Sequence, residues 1–159
     1  VEQDDITLEQ EIAGQGVFVH RYEHTLDPKK RLTIPSPWRA QVSEPKSLYV
    51  LPDVHDKCLS VYPAGEIVRR IKAMREHSIA DPKARQFARV LASHSDLVSW
   101  DAQGRIRVKD ELMDYAGLEE KVILIGAFDR FELWNPENLK KAGDLSRDGM
   151  LEAAQYVGF

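Results

Sequence analysis

Two spans of the chain carry residue types suited to meeting a polyanion: Asp27-Pro28-Lys29-Lys30-Arg31 and Asp101-Ala102-Gln103-Gly104-Arg105. Each reads Asp-x-x-x-Arg and runs into an apolar-x-apolar triplet, Leu32-Thr33-Ile34 in the first and Ile106-Arg107-Val108 in the second. A guanidinium is a planar fork of donors that matches guanine O6/N7 or a phosphate, and a good bidentate base contact discriminates by about 1–3 kcal/mol. An aspartate four residues earlier can close the turn and orient that fork, a surface ion pair worth about 0–1 kcal/mol. Both roles fit the spacing at once. Lys29, Lys30 and Arg107 flank the two arginines and read as phosphate contacts, which position a duplex without reading its sequence.

Other chemistry is not spelled out. His20, His24, His55, His77 and His94 are available, but no H-E-x-x-H, G-x-S-x-G, P-loop or dinucleotide fingerprint occurs. His20 and His24 in a strand would share a face at ~13 Å between Cα atoms, too far apart for one metal without bending. The single cysteine, Cys58, lies in the strand-like Cys58-Leu59-Ser60-Val61-Tyr62 and reads as a small buried side chain. The sequence assigns no catalytic residue, no metal site and no cofactor.

A net charge of −4 argues mildly against nucleic acid, but its distribution reverses the argument. Glu2, Asp4, Asp5, Glu9 and Glu11 sit in residues 1–16 with no Lys or Arg, so the rest of the chain stands at +1. Residues 17–41 hold Arg21, Lys29, Lys30, Arg31 and Arg39 against Glu23 and Asp27. Screening at physiological salt leaves such local charge in control. No apolar run approaches a membrane span and the N-terminus lacks a leader pattern, so the expected location is cytoplasmic.

The elements that must position the two turns follow from periodicity. Residues 1–16 form an acidic flexible tail, in which Ile6, Leu8 and Ile12 suit a short helix on a partner. Val17 to Leu26 reads as a strand entering the first turn. After Ile34, Ser36 is placed to cap and Pro37 to open a short helix. Ser47 to Leu51 and Leu59 to Tyr62 form a strand pair. A helical stretch follows, with Ile67, Ile71 and Met74 on one stripe and Val68 at its edge, and a second helix starts at Asp81-Pro82 with Phe87, Val90 and Leu91; these stripes read as core. From Leu97 the order returns: turn, strand, a short helix from Asp110 stopped by Gly117, strands at 122–125 and 131–134, and a helix capped by Asn135-Pro136. A helix around Met150 to Tyr156 completes the chain.

Overlaying the halves fixes a spacing of 74, which sets Asp27 on Asp101, Arg31 on Arg105, Leu32 on Ile106, Trp38 on Leu112 and Leu51 on Ile125. Two short sheets with open edges would pair with each other into one barrel-like body. The chain divides into a tail at 1–16, unit 1 at 17–65, a helical connection at 66–94, unit 2 at 95–142 and a C-terminal tail or helix at 143–159.

On the two Asp-x-x-x-Arg spans, Ala116-Gly117-Leu118 leading to Val122-Ile123-Leu124-Ile125-Gly126, and the ending Phe131-Glu132-Leu133-Trp134, the chain resembles the MraZ family from about Tyr22 to Trp134. The resemblance implies an α+β fold: two AbrB-like swapped-hairpin β units forming a pseudo-two-fold barrel, with helices between and after them. It also implies a sequence-specific DNA-binding transcriptional regulator of a bacterial cell-division and cell-wall gene cluster, usually a repressor. Such a protein acts in the nucleoid as a ring-shaped homo-oligomer on repeated G-containing promoter boxes. The family's motif maps onto Asp27, Arg31, Asp101 and Arg105. Two positions depart from the pattern: Lys30 stands where the first motif usually has glycine, and Lys109 where a proline is common. The first departure is expected to change the turn while adding charge, so that the first turn contributes more phosphate attraction and the second more defined geometry. The alternative reading is an AbrB-like antitoxin or protein-interaction module, with residues 143–159 as its partner-binding segment.

Overall fold

The computed structural model describes residues 14–76, 80–143 and 146–159. The acidic residues 1–13 and His77 lie outside these. Among the described residues eight strands and six helices follow in the order β1 (Arg21–Thr25), β2 (Arg31–Thr33), α1 (Ser36–Arg39), β3 (Leu48–Pro52), β4 (Leu59–Pro63), α2 (Ala64–Arg75), α3 (Pro82–His94), β5 (Asp96–Val98), β6 (Arg105–Arg107), α4 (Asp110–Ala116), β7 (Lys121–Gly126), β8 (Phe131–Trp134), α5 (Pro136–Ala142) and α6 (Arg147–Val157).

The halves do not form separate sheets. One six-stranded sheet runs β1-β7-β8-β4-β3-β5, and a two-stranded ribbon pairs β2 with β6. The six-stranded order reads the same from either edge once each strand is exchanged for its counterpart in the other half. The first strand of each half is thus lent to the other half's hairpin, β1 to β7 and β5 to β3. Register keeps the 74-residue spacing: Tyr22 lies opposite Leu124 and Val50 opposite Asp96, while His24 lies opposite Val122 and Leu48 opposite Val98. Beyond the hairpins the spacing becomes 72, because six residues separate Pro52 from its partner Leu59 and four separate Gly126 from Phe131. The pseudo-dyad therefore passes through the Leu32–Ile106 pair of the ribbon and the Ser60–Glu132 pair of the sheet.

This exchange is driven by what each strand must bury. β7 has three consecutive buried residues, Val122, Ile123 and Leu124, and β4 is buried along its whole length, so both need partners on each side. Beneath the ribbon the counterparts are buried in pairs: Leu32 with Ile106, Ile34 with Val108, and Trp38 with Leu112. Phe18 has no buried counterpart and is itself fully buried against Trp38 and Phe131.

Four expectations need correction. The segment from Val17 to Leu26 is not one strand: His20 adopts φ 78, which interrupts it, and Phe18 forms an isolated bridge to Phe128 instead. Gly14 and Gly16, grouped with the acidic tail by composition, donate to the carbonyls of Ala40 and Gln41. Ser36 is the first helical residue of α1 rather than its cap; Pro35 precedes it with no side-chain capping bond. The stripes of α2 and α3 are not core either. Neither helix has a buried residue, and Val68, Ile71, Phe87 and Val90 are all exposed. Local signals read correctly where the cap itself carries them: Asp81 accepts from the Lys83 N–H, Asn135 from those of Glu137 and Asn138, and Gly117 ends α4 at φ 63.

Candidate nucleic-acid interface

Both Asp-x-x-x-Arg spans fold into the same turn. Asp27 Oδ1 accepts from the backbone N–H groups of Lys29 (2.9 Å) and Arg31 (2.8 Å), and its Oδ2 accepts from Arg31 Nε at 2.6 Å. Asp101 repeats this with Gln103 (2.9 Å), Arg105 N (3.0 Å) and Arg105 Nε (2.9 Å). Each aspartate's backbone N–H also bonds the carbonyl of its own arginine. The Arg31 and Arg105 backbone N–H groups are the foremost cause holding Asp27 and Asp101 below the ordinary carboxylate value. Each turn is therefore held while its aspartate is ionised and released as pH falls through that lowered pKa. Because the arginine spends only Nε on its aspartate, its two Nη groups stay pre-oriented for a bidentate contact.

The ribbon brings the two turns onto one face. Arg31 lies opposite Arg107 and Thr33 opposite Arg105, while Leu32 and Ile106 between them point into the core at 1% exposure each. Side chains alternate along a strand, so Arg31, Thr33, Arg105 and Arg107 share the outer face. Directly opposed like charges destabilise a strand pair, and this face offsets them with carboxylates. Asp27 Oδ2 lies 2.6 Å from Arg31 Nε and 4.0 Å from Arg105 Nη1. Asp110 Oδ1 takes Arg107 Nη2 at 2.8 Å and Lys30 Nζ at 3.5 Å, a bridge between the two halves. Arg107 Nη1 also donates to the Val108 carbonyl. Lys29 is exposed and has no ion-pair partner among the described residues. All seven residues singled out by the sequence thus lie on or beside one ribbon.

Lys30 does not change the turn, contrary to the sequence expectation. It takes φ 60 where Gly104 takes φ 79, and in both turns this residue's N–H bonds the aspartate carbonyl. Left-handed backbone costs an L-residue roughly 1–2 kcal/mol, and glycine there gives back about 0.4–1 kcal/mol through the freedom of its unfolded chain. Lys30→Gly should therefore stabilise the protein by about 0.5–1 kcal/mol. A denaturation midpoint equal to or below that of the native chain would contradict this.

Arg39 was missed as a site residue. Its Nε donates to the Ile34 carbonyl at 3.1 Å, and its guanidinium lies over the second turn so closely that a Cβ on Gly104 would fall 2.6 Å from Arg39 Cζ. The available signal was in the overlay: Arg39 falls on Met113, a cation on a residue buried beneath the ribbon.

Other polar clusters are explained by structure. Asp53, Cys58 and Glu132 bring one ligand atom each within 4.8 Å of the others. Burial pushes the Cys58 thiol well up, which keeps it protonated, and Arg130 pairs with Glu132 at 3.3 Å. Asp53 is raised by burial, but the N–H groups of Asp56 and His55 and the Ser60 hydroxyl outweigh this and lower it. These hydrogen bonds close the β3–β4 loop. His20 and His24 flank the Tyr22 ring, each at 6.3 Å between centroids.

With this geometry established, similarity to known proteins is informative. The model of the family described as "MraZ protein, putative antitoxin-like" matches residues 17–90 and again 91–147. The chain belongs to the MraZ family. A transcriptional regulator MraZ of Thermomicrobium roseum is 36% identical over 129 residues, covering 81% of this chain and 89% of the relative. One from Corynebacterium jeikeium is 39% identical over 122 residues, covering 77% and 83%, and one from Clostridium acetobutylicum is 33% identical over 132 residues, covering 83% and 91%. The two MraZ matches divide the chain within α3 and place one Asp–Arg turn in each. The second match ends at residue 147, so nearly all of α6 follows it.

Proposed function

We propose that this chain is a sequence-specific DNA-binding transcriptional regulator that docks the β2–β6 ribbon on DNA. In this reading Arg31 and Arg105 contact bases, Lys29, Lys30 and Arg107 contact phosphate, and Asp27 and Asp101 orient the arginines. The observation that carries it is the pairing of β2 with β6, which sets both Asp–Arg turns on one outward face. The relatives' name, transcriptional regulator, supports the same role, and a regulator of this kind is not an enzyme. No described helix is long and apolar enough to cross a membrane.

The finer reading is a repressor of a cell-division and cell-wall gene cluster, nucleoid-associated, bound to repeated promoter boxes as a ring-shaped homo-oligomer. One ribbon supplies few contacts, and repeating it against a repeated site converts them into avidity. The exposed Val68, Ile71, Phe87 and Val90 on α2 and α3 support self-association, since an unburied apolar stripe is otherwise a solubility cost.

The test is binding to a duplex of tandem G-containing boxes at several salt concentrations. Arg31→Ala and Arg105→Ala should each weaken binding by about 5- to 150-fold per engaged contact, the range of one bidentate base contact. Wild-type affinity and salt slope in both variants would overturn the assignment, and a strictly monomeric mass in solution would overturn the ring.

A further inference from the structure

We propose that Arg39 is a DNA-phosphate contact of the Asp101 turn, and that Arg39 at one end of the ribbon and Asp110 at the other fix which way round a duplex lies across it. This rests on the ribbon being the DNA face, as proposed above. The backbone there is two-fold, since Leu32 and Ile106 pair on the pseudo-dyad. The charges are not. At the Asp27 end, Lys30 and Arg107 both engage Asp110. The positions that the dyad brings to the Asp101 end are Gly104, Thr33 and Ser36, all uncharged. Of the positions matching Lys29, Lys30, Arg31 and Arg107, Arg105 alone is a cation at that end, and Arg39 adds a second.

Arg39 is built into the turn rather than lying over it by chance. Its Nε–H bond to the Ile34 carbonyl fixes the guanidinium plane, and Gly104 admits it because a Cβ would meet Nε at 2.8 Å and Nη1 at 2.9 Å. No carboxylate lies within 4.0 Å of Arg39 among the described residues, whereas Arg31, Arg105 and Arg107 each have one. A hydrogen-bonded, partly exposed guanidinium with no carboxylate partner among the described residues, beside a turn that presents a second guanidinium, is suited to a phosphate oxygen. Met113, the dyad counterpart, is buried and accepts a weak contact from Arg107 through Sδ at 3.6 Å. The two ends therefore offer DNA different contacts: a rigid guanidinium on the glycine turn, and two cations that must share Asp110 on the lysine turn. A symmetric face would accept a duplex in either direction; this one has a preferred direction.

Arg39→Gln, Arg39→Lys and Asp110→Asn in the full chain separate the possibilities, with folding checked by thermal melting. On the tandem-box duplex, Arg39→Gln should weaken binding about equally for intact and base-substituted boxes and reduce the salt slope by about 0.9 per engaged chain. Arg39→Lys keeps the charge and should keep most of the slope. Asp110→Asn should tighten binding and steepen the slope. Direction is read with an iron chelate tethered at Ala102→Cys, which should cut on one side of each box in the native background and on both sides with Arg39→Gln. Unchanged affinity and slope in Arg39→Gln, with Arg31→Ala and Arg105→Ala still impaired, would overturn this inference alone. If those two variants also bind like wild type, the ribbon is not the DNA face and both readings fall.

Discussion

Trp38→Ala should lower the unfolding free energy by about 3–5 kcal/mol, toward the upper end of what removal of a buried Trp or Phe costs. Trp38 is 2% exposed and stands where three parts of the fold meet. Its ring is tilted 31° against Phe131 at 4.7 Å, meets Tyr22 edge-on at 5.1 Å and Phe18 edge-on at 6.0 Å. Its Nε1–H donates to the Val19 carbonyl at 2.7 Å, within the irregular segment before β1. Removing the indole opens a cavity and also leaves that carbonyl without its donor, a loss of about 1–3 kcal/mol if water cannot replace it. Since domains are stable by about 5–15 kcal/mol, the variant should be marginal. Trp38→Phe keeps most of the apolar volume and loses the hydrogen bond, so its smaller deficit isolates that bond. Leu112→Ala, at the dyad-related position, should cost less within the aliphatic range of about 2–5 kcal/mol, since no hydrogen bond is lost. Urea denaturation at fixed protein concentration measures all three. A Trp38→Ala loss below about 1 kcal/mol would mean that the aromatic cluster does not organise the first half.

The same cluster shows what could and could not be read in the sequence. The apolar runs at 48–51, 122–125 and 131–134 are strands because nothing in them suits another role, and the caps at Asp81, Asn135 and Gly117 act through neighbours two or three residues away. The overlay at 74 placed the two Asp–Arg turns in equivalent positions, and the β2–β6 pairing sets those two turns at one ribbon. What stayed hidden depends on distant partners. That β1 pairs with β7 rather than within its own half is decided by which strand leaves an edge open, not by any residue of β1. That His20 takes a left-handed backbone follows from the route Phe18 must travel to reach Phe128. The helical stripes have the same period whether they face a core or another molecule, so α2 and α3 read as core while their Val68, Ile71, Phe87 and Val90 stand in solvent. Arg39 was visible only as a mismatch with Met113, and an overlay judged on what it shares passes over what differs.

Such mismatches matter because a duplicated fold is constrained where its halves touch and free elsewhere. The ribbon and the sheet centre keep their registers, since a slip of one residue would turn every buried side chain outward. The residues flanking the turns are under no such constraint, and there Lys30 has diverged from Gly104 and Asp110 from Ser36.

The second large effect concerns Gly126, at the end of β7. Gly126→Val should destabilise by about 3 kcal/mol or more, the upper end of overpacking penalties, because the obstruction is backbone and cannot rotate away. A Cβ at this position would lie 2.6 Å from both the carbonyl carbon and the oxygen of Phe18 and 2.7 Å from the Val19 nitrogen. To admit it, the segment before β1 must lift from the sheet. That strains the Gly126 N–H bond to His20 O and the reciprocal bonds between Phe18 and Phe128, and it draws the fully buried Phe18 ring from its contacts with Trp38 and Phe131. The dyad-related residue is Pro52, and the residue matching Phe18 is Ala92 within α3, so the second half has no equivalent crossing. The damage should therefore be greatest in one half: amide exchange should accelerate more at Phe18 and at position 126 than in β3 and β5. Uniform acceleration across both halves, or a native-like denaturation midpoint, would show that the close approach at Gly126 does not hold the first segment to the sheet.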